Sequence, residues 1–342
     1  MILAGDIGGT KADLGLFEPG GDARRPPLEG RLEVRKYPSL EALIREFLGQ
    51  AAGRIAMAAP RAARMATPTR IVFGVAGPVH DNRCDAVNLP WPIDGNATGA
   101  ALGIPLLLLN DLSATAWGVS VLGPSDLVVL NDSPPGSGSR VLIAAGTGLG
   151  ESIVARNDGG WVVVPSEGGH ADFAPRDPLE DELLVWLRAK YGRVSYERVL
   201  SGPGIADLFR FMGDSGRGAA SREVEQRFAA APDPAAVVTE TALDGSCERS
   251  CLAIRKFVDV FGAEAGNLAL KGLALAGVYL GGGIAPRLVP FLTDGRLVRA
   301  FTDKGRLKPV LERMPVAVIL DPRTGLWGAA FYALAHPMTN GS

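Results

Sequence analysis

Apolar positions along this chain recur with a period of two in some stretches and near 3.6 in others, and the changes of period mark the elements. Met1 to Gly5 is apolar, breaks at Asp6, turns through glycines and returns as the alternating ADLGLF of residues 12–17. That predicts a strand, a tight turn and a returning strand. The polar stretch 19–30, PGGDARRPPLEG, is a loop by composition, and RLEVRKYP (31–38) alternates as a third strand. In SLEALIREFLGQAA the spacing becomes helical. Leu40, Leu43, Ile44, Phe47 and Leu48 form one stripe, Ser39 is the expected N-cap and Glu41 lies in the first turn. Residues 49–68 should extend that helix and end in a loop. TRIVFGVAGPV (69–79) and IPLLLLND (104–111) are buried strands, the second with polar residues at its C-terminal tip.

The second half begins after NDSPPGSGS (131–139), a loop by composition. Residues 140–156 again read as strand, glycine turn, strand. PLEDELLVWLRAKYG (178–192) is an amphipathic helix ending at Gly192, with Trp186 beside the stripe of Leu183, Leu184 and Leu187. Residues 213–240 have weak periodicity and predict surface helices and loops. Residues 248–273 form a long helix, AGVYLGGGIA (276–285) a strand running into glycines, PVAVILD (315–321) a late strand, and 324–338 a C-terminal helix. The strand–turn–strand unit with a Gly-Thr loop near residue 6 recurs near residue 147, as a duplicated pair of lobes would show.

The 342 residues carry a formal net charge of -2, which asks for neither nucleic acid nor an anionic membrane. No run reaches the roughly 20 apolar residues of a membrane span, and the N-terminus lacks the basic start of a signal peptide. The expectation is a cytoplasmic protein. Cys84, Cys247 and Cys251 are odd in number and not spaced as metal ligands. Cys247 and Cys251 share a helix face, as small buried residues or as a redox or metal pair.

The two glycine turns carry the first chemical signal. DIGGT (6–10) and AAGTGLG (144–150) each expose backbone N–H groups with no side chains in the way, a nest that suits phosphate oxygens. A plain hairpin turn is the alternative for either loop alone. Neither is a Walker loop, since GxxxxGK[ST] is missing. The residues after Gly9 alternate like a strand, which excludes a dinucleotide fingerprint. Asp111 ends a buried apolar run, where a carboxylate needs partners or a task. It is either a base or a helix N-cap. Glu167 and His170 lie three apart across two glycines and could bind sugar hydroxyls or, less suitably, a metal.

In family order the chain carries DIGGTKADLGLF (6–17), GVAGPV (74–79), NLPWPID (88–94), LLNDLSATAWG (108–118), AAGTGLGES (144–152), PSEGGHADFAP (165–175), YERVLSGPGI (196–205), GNLAL (266–270) and LGGGIAPR (280–287). Together they resemble the bacterial glucokinases of the hexokinase–actin–Hsp70 superfamily, the group outside the ROK kinases. ROK relatives share a His/Cys-rich zinc motif that this chain lacks.

The resemblance implies a two-lobed, ribonuclease-H-like α/β fold with a cleft between the lobes. The small lobe would span 1–110 plus 321–342 and the large lobe 111–320. It implies transfer of the γ-phosphoryl of ATP to the 6-hydroxyl of glucose, with Asp111 as general base. Asn110, Asp111, Glu167, His170 and Glu197 would bind the sugar, although Glu197 could also be a helix-start residue paired with Arg198. Asp6, Gly8, Gly9, Thr10, Gly146, Thr147 and Gly148 would hold the phosphates, and Gly282 and Gly283 would lie beside the adenosine. Asp6 would orient Mg²⁺ through water. Lys11 either reaches phosphate or faces solvent. The resemblance also implies a homodimer. The residues leave open a kinase for another hexose, a non-catalytic sugar sensor and a protein-binding ATPase module.

Overall fold

The computed structural model describes residues 1–58, 67–85, 89–157 and 160–336. Residues 59–66 of the 49–68 segment, Asn88 of the NLPWPID motif and the last residues of the expected C-terminal helix lie outside that set. The chain forms two compact units, Met1–Gly123 with Asp321–Ser342, and Pro124–Leu320.

In the first unit, strands β1 (Ile2–Ile7), β2 (Lys11–Phe17), β3 (Leu28–Glu33), β4 (Arg70–Val75) and β7 (Leu106–Asn110) form one sheet in the order β3-β2-β1-β4-β7. The short β5 (Arg83–Cys84) and β6 (Ile93–Asp94) pair separately. β1 runs antiparallel to β2 and parallel to β4, and β4 runs parallel to β7. Covered on both faces, β4 is buried along its whole length, as an interior parallel strand should be. One face packs under α1 (Leu40–Ala58) through Leu43, Ile44 and Phe47. Helix α2 (Gly95–Leu102), capped by Asp94, precedes β7. On the other face the C-terminal helix (Thr324–Ala335) sets Leu326, Trp327 and Ala330 against Ile2, Ala4 and Val72.

Helix α3 (Asp111–Gly118) crosses the C-terminal helix so closely that a Cβ on Gly328 would overlap the Ala114 carbonyl. This packing carries the first unit past the expected end at residue 110, to Gly123. The third strand also differs from expectation. β2 begins at Lys11, whose partner is Glu33, so β3 has no further rung to form beyond that pair. The chain turns there as a 3₁₀ segment, Val34–Lys36, and Val34 N–H donates to the Thr10 carbonyl.

The second unit holds β8 (Leu127–Val129), β9 (Arg140–Ala145), β10 (Leu149–Asn157), β11 (Gly160–Ser166), β12 (Gly277–Gly281) and β13 (Val316–Ile319), ordered β11-β10-β9-β12-β13-β8. β9 to β11 form antiparallel hairpins, and β9, β12 and β13 run parallel. The first sheet has this same plan, so the echo of the two Gly-Thr hairpins is a repeat of topology. Helices α4 (Pro178–Tyr191), α5 (Gly202–Asp214), α6 (Arg222–Ala230), α7 (Pro234–Leu243) and α8 (Glu248–Gly272) follow, then the short α9 (Val289–Leu292), α10 (Arg296–Thr302) and α11 (Lys308–Leu311). Asp177, Ser201 and Asp233 cap α4, α5 and α7, each one or two residues before a proline at the helix start.

Helices α6 and α7 are not merely superficial, as the sequence suggests. α7 buries Val237, Val238 and Thr241, and Phe228 of α6 lies against Phe209 with ring centroids 4.6 Å apart. Cys247 is the N-cap residue of α8 rather than an interior one, and all three cysteines are free thiols.

Candidate active site

In the first unit the functional candidates collect at the C-terminal ends of parallel strands. Asp6 lies one residue from the end of β1, with Gly74 of β4 as its neighbour, and Asn110 ends β7. A Cβ on Gly74 would stand 3.7 Å from Asp6 Oδ1 and 3.8 Å from Asp111 Cα, so the two aspartates flank that glycine. Asn110, not Asp111, is the N-cap of α3. Its Oδ1 accepts from Leu112 N–H (3.0 Å) and Ser113 N–H (3.2 Å). Its Nδ2 donates to the Gly77 carbonyl and to Asp111 Oδ1, both at 3.0 Å. Asp111 Oδ1 also accepts from Leu112 N–H at 2.8 Å. The carboxylate is therefore held in one orientation by the cap beside it.

Burial, then the nearby Asp111 and Asp13 carboxylates, push Asp6 up to about 7 against the opposing pull of Lys11. Accumulated negative charge on hard oxygens fits a hydrated divalent cation. Mg²⁺ commonly takes one or two protein carboxylates and completes its shell with water and phosphate. No cluster of three or more His, Cys, Asp or Glu among the described residues offers an all-protein cage. Gly8, Gly9 and Thr10 form the β1–β2 turn, closed by Gly8 N–H to the Lys11 carbonyl (3.0 Å). Lys11 is exposed at the start of β2.

In the second unit three predicted sugar residues come together. His170 Nε2 is 3.9 Å from Glu167 Oε2, and its Nδ1 is 3.8 Å from Glu197 Oε1. Gly168–His170 is a 3₁₀ turn, and Gly168 N–H donates to Ser166 Oγ at 2.9 Å. Tyr196 N–H donates to the Ala171 carbonyl (3.0 Å), which joins the Glu197 segment to the turn. Glu197 Oε2 in turn accepts from Leu149 N–H at 3.1 Å, so it is tied to the residue that leaves the second glycine loop.

That loop, Gly146–Gly148, borders a cavity of about 690 Å³ that also includes Gly283. Gly146, Thr147 and Gly283 thus meet at one cavity. Gly148 and Gly282 are not on its wall. Gly148 packs against Glu197, and Gly282, at φ +83°, lies where a Cβ would overlap the Ala145 backbone.

Sequence reasoning missed Lys190, Asp207, Arg210 and Arg287 on the same wall. Buried Asp207 accepts from Lys190 Nζ (2.6 Å), Tyr191 Oη (2.6 Å) and Arg210 Nη1 (2.8 Å). Burial pulls the Lys190 ammonium down, but Asp207 and Tyr191 together more than offset this and raise it. The available signal was an aspartate within the apolar run IADLFRFM.

Known proteins bear on the whole chain. A family model described as Glucokinase matches residues 3–336. A glucokinase of Trichormus variabilis is 37% identical over 97% of this chain and 98% of its own length. The crystal structure of a glucokinase from an Antarctic psychrotroph superposes with a TM-score of 0.80 at 28% identity, covering 96% of this chain and 97% of that one. The glucokinase of Balamuthia mandrillaris, solved in complex with glucose, shares the fold with a TM-score of 0.74 at 21% identity, over 97% and 93% of the two chains. The fold is the two-lobed α/β type of actin and hexokinase, and the chain belongs to the glucokinase family of ATP-dependent hexose kinases.

Proposed function

We propose that this protein transfers the γ-phosphoryl group of ATP to the 6-hydroxyl of D-glucose, giving glucose 6-phosphate and ADP. Asp111 accepts the proton of the 6-hydroxyl as that oxygen bonds to the γ-phosphorus and the bond to the β-bridging oxygen breaks. The cap by Asn110 fixes the carboxylate beforehand, so little reorganisation accompanies proton transfer. Asn110, Glu167, His170 and Glu197 bind sugar hydroxyls, each of which can donate and accept. The loops Gly8, Gly9, Thr10 and Gly146, Thr147, Gly148 hold the phosphates, with backbone donors other than the Gly8 and Gly146 N–H groups, which close their own turns. Gly282 and Gly283 let the adenosine approach the backbone. Asp6 would hold Mg²⁺ through water, and that cation supplies charge neutralisation on the phosphates when bound. A homodimer is part of the same proposal, and sedimentation would show a species of twice the chain mass.

The observation that carries this function is the hydrogen bond from Leu149 N–H to Glu197. It ties a sugar-binding candidate to the phosphate loop itself. The test is Mg²⁺- and ATP-dependent phosphorylation across a hexose panel. Glucose 6-phosphate and ADP formed in equal amounts, with glucose the best acceptor, is expected. ADP release indifferent to sugar, or sugar binding without turnover, would contradict it.

A further inference from the structure

Behind the Glu167–His170 turn lies a pair of buried carboxyls with no part in the chemistry above. Glu151 projects from β10 at 1% exposure and Glu264 from α8 at 0%. Glu151 Oε1 and Glu264 Oε1 each lack a hydrogen-bond partner among the described residues. Two ionised carboxylates side by side would leave buried charge and unsatisfied acceptors together. One shared proton makes a donor of one carboxyl and satisfies both. Burial first, then Glu264, raises the Glu151 carboxyl to about 8, with Lys271 opposing.

The charged and titratable groups around the pair are few. Lys271 Nζ stands 3.8 Å from Glu264 Oε1 and is half exposed. The Tyr196 hydroxyl is pushed up by burial and by the nearby Glu264 carboxylate. Lys304 is committed to Asn267 Oδ1 (2.7 Å) and the Ala263 carbonyl (2.9 Å), and Arg176 to Glu180 (2.8 Å). From the turn itself come Glu167 and His170.

The pair touches both sugar-binding segments. A Cβ on Gly168 would overlap Glu151 Oε2, so this carboxyl is the floor of the turn. Asn267 Nδ2 donates to Glu264 Oε2 (2.8 Å) and to Tyr196 Oη (3.1 Å), and Tyr196 immediately precedes Glu197.

We propose that Glu151 is a positioning residue for the sugar. Sharing a proton with Glu264, it seats the Glu167–His170 turn and, through Tyr196, Glu197; loss of that proton loosens both and weakens glucose binding. This rests on Glu167, His170 and Glu197 being the sugar ligands. The test is kcat and KM for glucose from about pH 6.5 to about pH 9.5 for wild type, Glu151→Gln and Glu264→Gln, since glutamine mimics a protonated carboxyl.

The wild-type KM should climb in alkali by up to about tenfold per pH unit, the limit for one proton. Both variants should keep the low KM and lack that climb, while kcat keeps one profile in all three. Superimposable KM profiles for wild type and Glu151→Gln would overturn the inference. So would a glucose-induced rise in wild-type Tm that is unchanged between about pH 7 and about pH 9, a measurement that needs no variant. Failure of wild type to bind or turn over glucose at neutral pH would defeat the sugar assignment itself, and this inference with it.

Discussion

Glu197 is held by a backbone N–H, and that single contact makes a neighbouring glycine testable. A Cβ on Gly148 would stand 2.5 Å from Glu197 Oε2. Gly148→Ala should therefore displace the carboxylate and raise KM for glucose by roughly tenfold, the cost of about one hydrogen bond to a charged group. Steady-state kinetics would read this, and an unchanged KM would remove Glu197 from the sugar site. Glu151 makes a separate prediction for stability. Its folded value of about 8 lies above the ordinary glutamate value of 4.5. Its contribution is thus complete below the unfolded value and lost as pH rises towards the folded one. Calorimetry should show wild-type Tm falling relative to Glu151→Gln between about pH 5 and about pH 9. The sequence makes Asp111, Glu167 and His170 legible because each breaks an apolar or glycine pattern. Glu151 sits within GLGESIVA, where alternation alone does not say which face of the strand is covered, and Glu264 lies on a long helix whose far neighbours are not local in sequence.

At the level of elements, the C-terminal helix and α3 approach through glycines, and their packing supports the strand ends that carry Asp6 and Asn110. A Cβ at Gly328 would overlap the Ala114 carbonyl and crowd the Gly118 amide at 2.5 Å. Gly328→Val should cost about 2–3 kcal/mol through overpacking, seen as a lower Tm. An unchanged Tm would mean that the helices part without penalty. The long helices and the paired hairpins are direct consequences of periodicity: α4 presents an apolar stripe, and α8 is a long apolar-rich run buried on every side along much of its length. The end of β3 is not, because it is set by where β2 begins. The packing of α6 and α7 is equally hidden, since alanine, valine and threonine on a covered face look much like a surface helix in sequence.

Across the whole molecule, both units carry the same sheet plan, and each places a glycine loop at its first hairpin. The cavity on the second unit makes a prediction that separates ligand binding from folding. Nothing lies within 4 Å of a Cβ built on Gly283, which borders the cavity. Gly283→Ala should leave Tm unchanged while raising KM for ATP severalfold, because the added methyl occupies space the nucleotide needs. No change in KM would place the nucleotide elsewhere. The central claim is that Asp111 is the base of a phosphoryl transfer to glucose. Its most direct test is the steady-state kinetics of Asp111→Ala with glucose and Mg-ATP, alongside calorimetric binding of glucose. A fall in kcat of roughly 10²–10⁴-fold with glucose affinity retained is predicted. Turnover close to wild type would contradict it.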